Sequence, residues 1–167
     1  MTFRTEDRPL ISSGLLLGIG MGGFVDGILF HQIFQIHGML TARRPPDTIA
    51  NIQINMVWDG LFHAVTWTIT AMGLWLLFRA ARKPGLNWSG RILLGAMLGG
   101  WGLFNLVEGV IDHHILNVHH VVERLGVSIW DWVFLGSGLV FLALGLLLIG
   151  SARSERGGSA TEERPTG

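Results

Sequence analysis

The sequence predicts an all-α, polytopic membrane protein: a four-helix bundle built as a tandem repeat of two helical hairpins. Three observations carry this. Charged residues make up only 14% of the 167 residues, against about 25% in an ordinary soluble domain. Four stretches are long and apolar enough to cross a bilayer, which takes roughly 20 residues. The first and third of these, and the second and fourth, repeat one another's acids, glycines and histidines.

The first helix is expected over about 10–37. Arg43-Arg44-Pro45-Pro46 stops it, because proline cannot continue a helix. Glu6 and Asp7 stand where a cleavable signal peptide would be basic, so this helix is expected to remain in the mature protein. Gly14, Gly18 and Gly22 line one face at four-residue spacing, which suits close packing against another membrane helix. The second helix is expected over about 49–78 and ends before Lys83-Pro84-Gly85. The third covers about 92–118 and the fourth about 127–150. Together they define one transmembrane domain, 1–153, followed by a polar tail, 154–167, expected to be disordered and cytoplasmic.

Orientation follows from the basic residues. Arg4, Arg8, Arg79, Arg82, Lys83, Arg91, Arg153, Arg156 and Arg164 fall on the side of the termini and second loop. Arg43, Arg44 and Arg124 fall on the other. The excess marks the cytoplasmic side, so both termini are expected inside and the first and third loops outside.

The polar residues then sort into one layer. At about 1.5 Å of rise per residue, all seven histidines and the acids Asp26, Asp59, Glu108, Asp112 and Asp131 reach the outer third of the membrane or lie just above it. Each ionisable group buried near the bilayer centre costs at least about 2.5–3.5 kcal/mol. A single such residue is as well explained by helix packing or interfacial placement. The whole set in one layer points to a site.

The repeat organises that layer. Val25-Asp26-Gly27-Ile28-Leu29-Phe30-His31 matches Val107-Glu108-Gly109-Val110-Ile111-Asp112-His113 without gaps, and His37 then matches His119. Trp58-Asp59 matches Trp130-Asp131. Each hairpin thus supplies two carboxylates and two histidines. Parallel repeats of this kind imply a pseudo-twofold axis along the membrane normal. The halves also differ: Phe30, Gln32, Gly38 and His63 stand opposite Asp112, His114, His120 and Leu135.

Cysteine is absent, which excludes thiolate sites and thiol nucleophiles. Zero formal net charge argues against a nucleic-acid partner. Histidine and carboxylate ligands suit a transition-metal ion: zinc, iron, manganese or copper(II). The candidate ligands are Asp26, His31, His37, Asp59, His63, Glu108, Asp112, His113, His114, His119 and Asp131. Asp59 and His63, and Glu108 and Asp112, are four apart and share a helix face. Straight α-helical geometry takes His31 off the Asp26–His37 stripe, toward another helix or a second site. Asp131 also stands three residues after Ser128, a capping-box spacing, so cap and ligand compete there. Met39 and Met56 are weak copper(I) candidates and better read as filling. A proton relay and a haem site rank lower: the inner half lacks ionisable residues, and haem ligation needs no carboxylates.

The segments Gly-Phe-Val-Asp-Gly-Ile-Leu-Phe-His-Gln-Ile (23–33), Asp-Gly-Leu-Phe-His-Ala (59–64) and Phe-Asn-Leu-Val-Glu-Gly-Val-Ile-Asp-His-His (104–114), with Trp130-Asp131, resemble a family of bacterial predicted four-helix membrane proteins of unknown function. The resemblance covers most of 10–150 and assigns no catalytic residue. It implies a bacterial plasma-membrane location. Members are often encoded near assembly factors for copper-containing respiratory oxidases, which implies metal handling at the outer face and makes the oxidase or those factors candidate partners.

Three functions follow. The leading one is a membrane protein that binds one or two transition-metal ions and serves metal handling or respiratory-enzyme assembly. The second is a metal-dependent hydrolase or oxidase acting on a lipid or quinone-like substrate. The third is a non-catalytic assembly protein. Self-association is left open.

Overall fold

The computed structural model describes residues 5–162; Arg4, Arg164 and the end of the tail, 163–167, lie outside the described residues. The described chain is helical, without strands. Helix α1 spans Arg8–Val25 and continues into a π-helical segment, Asp26–Ile33. Helix α2 spans Ile49–Ala81. Helix α3 spans Gly90–Glu108 and continues into a second π-helical segment, Gly109–Ile115. A short 3-10 turn, Glu123–Leu125, precedes α4, Ile129–Glu162. Helix α4 therefore continues past Ser154, where the sequence places the start of the tail. Four segments are long and apolar enough to span a membrane: Arg8–Ile33, Ile49–Ala81, Gly90–Ile115 and Ile129–Arg156.

Local chemistry sets the helix starts. Thr48 Oγ1 accepts from Asn51 N at 3.2 Å and Ser89 Oγ from Ile92 N at 3.3 Å, each satisfying an orphan donor of the first turn. Ser128 and Asp131 cap α4. Asp7, ahead of α1, is buried and takes Arg153 Nε at 2.8 Å and an Arg156 amino group at 3.3 Å. A second Arg156 amino group donates to the Asn87 and Trp88 carbonyls. This ties together the helix ends opposite the histidines.

Packing is built on a central pair. Helices α1 and α3 lie against each other, α2 packs on α1, and α4 packs on α3. The bundle order is thus α2–α1–α3–α4. The glycine face explains the central contact. A Cβ on Gly18 would overlap the Met97 carbonyl oxygen, and one on Gly100 would overlap that of Leu15; Gly14 lies against Ala96. Close approach of this kind lets dispersion hold helices together where lipid supplies no hydrophobic drive. Helices α2 and α4 turn much of their surface outward, exposing Val57, Trp67, Leu74, Val133, Leu139 and Leu147, as lipid contact requires.

At the histidine end the two connecting loops join. Ala42 N donates to Val118 O at 3.0 Å, Thr41 Oγ1 to Glu123 Oε2 at 2.8 Å, and Arg43 to Leu116 O at 2.7 Å. They form a lid over the ends of the central helices.

Candidate metal centre

The site begins where α1 and α3 change their winding. A π-helix bonds i to i+5 rather than i to i+4, so residues five apart come together. Asp26 and His31 are five apart, as are Glu108 and His113. His31 Nε2 consequently lies 3.0 Å from Asp26 Oδ2. Straight winding would carry His31 away from Asp26; the looser winding brings Nε2 back to it, while Nδ1 meets Asp59 of α2, the other helix that the sequence reading allowed. Both segments end alike. Phe34 N bonds Leu29 O and Leu116 N bonds Ile111 O, each at 2.7 Å. Gln35 and Asn117 then take positive φ, 49° and 46°, which turns each chain back so that His37 and His119 return over the helix ends.

Six side chains converge: Asp26, His31, His37, Glu108, His113 and His119, all buried. The His37 and His119 rings stack with centroids 4.8 Å apart and planes 7° from parallel. His31 stands edge-on to His37 at 4.7 Å, and His113 to His119 at 4.9 Å. His37 Nε2 is 3.7 Å from Asp26 Oδ1, and His119 Nε2 is 3.5 Å from Glu108 Oε1.

The outer ring nitrogens are held. His37 Nδ1 meets Val121 O at 3.0 Å, and His119 Nδ1 meets Met39 O at 3.2 Å. A carbonyl only accepts, so each Nδ1 carries a proton, and Nε2 is the nitrogen that faces inward. His31 Nδ1 lies 3.1 Å from Asp59 Oδ1, and His113 Nδ1 lies 3.3 Å from Asp131 Oδ1. The Nε2 atoms of His31, His37, His113 and His119, Asp26 Oδ2 and both Glu108 oxygens have no hydrogen-bond partner. His31 Nε2 and Asp26 Oδ2 are within ion-pairing distance at 3.0 Å, and the distances in the cluster lie near the ligand–ligand spacing of about 3.3 Å that tetrahedral coordination at 2.0–2.1 Å gives. Two triads have ligand atoms close enough to hold an ion, His31–His37–His119 and Glu108–His113–His119.

Asp59 and Asp131 stand behind the histidines. Asp59 Oδ1 accepts from Met39 N at 2.9 Å as well as facing His31. Asp131 accepts from Ser128 N at 2.8 Å and Val121 N at 3.1 Å. Asp131 is therefore a cap that also faces a site histidine. His63 bonds its own helix, Nδ1 to Asp59 O at 2.7 Å, and its ring lies against Gly27. His114 does likewise, Nδ1 to Gly109 O at 2.7 Å, beside Trp132. Asp112 lies beside Glu108 on the wall of a cavity. His120, buried, places Nδ1 3.7 Å from Asp131 Oδ1. Sequence reasoning misses the Met39 and Val121 carbonyls, since backbone atoms leave no mark in residue identity.

His119 lies in the loop above the membrane segments. Burial away from water holds its basicity well below the ordinary imidazole range, and neighbouring His37 and His113 add to this. Its neutral, ligating form is thereby favoured.

The fold and site define a class: a multi-pass helical membrane protein with a buried histidine–carboxylate cluster at one end. Residues 13–152 match the family described as predicted membrane protein (DUF2243). The chain belongs to that family. No curated protein and no solved structure matches it.

Proposed function

We propose that this protein binds one or two transition-metal ions in the His/carboxylate cluster, at the triads His31–His37–His119 and Glu108–His113–His119, which share His119. The single observation that carries the reading is the arrangement of the inner atoms. Four Nε2 atoms and two carboxylates converge, while the outer nitrogens of His37 and His119 are held by carbonyls and those of His31 and His113 face Asp59 and Asp131. Buried carboxylates call for a compensating cation, and carboxylate–histidine–metal chains are how proteins orient such ligands. Asp59 and Asp131 fill the outer position of those chains.

Matched contacts in the halves support a pseudo-twofold relation about an axis between α1 and α3. Gly20 lies against Thr66 and Thr70 as Gly102 lies against Gly138 and Leu142, and Gly27 against Phe62 and His63 as Gly109 against Phe134 and Leu135. With the termini cytoplasmic, as the basic residues favour, the site opens to the extracytoplasmic side of the plasma membrane. A role in metal handling or in assembly of a respiratory enzyme fits such a site. His63 and His114 serve as neighbours rather than ligands in this reading.

Elemental analysis of detergent-purified protein tests it. Bound zinc, copper or iron is expected at up to two ions per chain, with His31→Ala and His113→Ala each losing about half of the metal. Metal-free protein from metal-replete cells overturns the proposal.

A further inference from the structure

The two halves are not equivalent at the lipid boundary. A cavity of about 270 Å³ opens between α2 and α3, lined by Ile19, Phe62, Leu103, Phe104, Val107, Glu108, Ile111 and Asp112. Leu103, Val107 and Ile111 are exposed along one stripe of the third span, so the cavity faces the bilayer. Its walls are apolar except at the end where Glu108 and Asp112 stand one turn apart. Glu108 is 4% exposed, and neither carboxylate oxygen has a hydrogen-bond partner.

The matching groove between α4 and α1 carries bulkier side chains at two of these positions. Trp101 stands where the first groove has Ile19; it lies over Gly22 and against Phe141, ring centroids 5.4 Å apart. Phe30 stands where the first groove has Asp112, packed on His37 at 5.9 Å. At these two positions the α2–α3 groove has the smaller side chain, and Asp112 adds a carboxyl.

We infer that the α2–α3 cavity binds the head of a membrane amphiphile: an uncharged, hydroxyl-bearing aromatic ring on an apolar tail, that is, a long-tailed phenol or quinol. A carboxyl group accepts a hydrogen bond whether or not it is ionised, so a donating head is satisfied here. An anionic headgroup finds no basic side chain in this lining. Phe62 and Phe104, 6.2 Å apart, give the wall an aromatic surface that suits a flat ring. The tail leaves past Leu103, Val107 and Ile111 into lipid. The inference shares Glu108 with the metal reading, and metal content measured on the same samples separates the two.

The test is equilibrium binding of a decyl-tailed benzoquinol to the purified full chain in nanodiscs, with n-decanol and phosphatidylglycerol as competitors. Saturable binding is expected, displaced by neither competitor. Ile19→Trp and Asp112→Phe, which copy the bulkier residues of the other groove, should each weaken binding by at least about tenfold, with metal content unchanged for Ile19→Trp. Val107→Phe, on the exposed wall, gives the same readout if a groove-copying variant fails to fold. Equal binding of n-decanol or phosphatidylglycerol, or unaltered affinity in a folded Ile19→Trp or Val107→Phe protein, overturns the inference even where metal is present. Absence of metal with binding intact overturns the metal reading alone.

Discussion

At the scale of single residues, the histidines divide by what holds their outer nitrogen. His63 and His114 donate to carbonyls of their own helices, which keeps their rings beside the backbone. His37 and His119 donate instead to carbonyls of the opposite connecting loop, and their inner nitrogens meet across the molecule. Asp59 and Asp131 act one step further back. Removing a carboxylate behind a metal-ligating histidine typically costs 10–100-fold in affinity. Asp59→Asn keeps the shape and an acceptor but loses the charge, so a metal affinity weaker by about 10–100-fold is expected. Competition against a chelator of known affinity checks it. Unchanged affinity would show that Asp59 only caps Met39.

At the scale of elements, the π-helical segments are decisive. They carry His31 and His113 onto the carboxylates five residues earlier, which an α-helix does not do. The acid-Gly-x3-His-x5-His pattern is plain in the sequence, and so is its repetition. The change of winding is not, because it depends on how the helix end is held by the loops above it. The glycine stripe belongs to this scale too and is readable directly from Gly14, Gly18 and Gly22. Its partner surface, Met97 and Gly100, emerges only on packing. Gly100→Val should be destabilising, by about 1–3 kcal/mol if the helices can shift apart and by more if they cannot, because its Cβ meets backbone rather than a movable side chain. Unfolding in mixed micelles measures this.

At the scale of the whole molecule, the order α2–α1–α3–α4 places the site between the two central helices and leaves the outer pair largely in lipid. The loops from opposite hairpins join over the site, so each half supplies the carbonyl that orients the other half's histidine. Neither hairpin builds the centre alone. Orientation is tested at this scale as well. The chain lacks cysteine, so single cysteines report cleanly: Asp47→Cys should label from outside intact cells with an impermeant reagent, and Lys83→Cys only after permeabilisation. The reverse pattern would place the site on the cytoplasmic side.

The sequence by itself determined the four spans, the one-sided polar layer and the residues that repeat across the hairpins. These rest on composition and spacing along the chain, where the cost of burying polar groups in lipid leaves a strong mark. Tertiary structure alone decided which histidines present their inner nitrogens to one another, that Asp131 is a cap facing a histidine, and that a cavity opens between α2 and α3. Those outcomes depend on helix winding, backbone carbonyls and the fit of side chains against neighbours far away in sequence, and none of them is a property of a residue read in isolation.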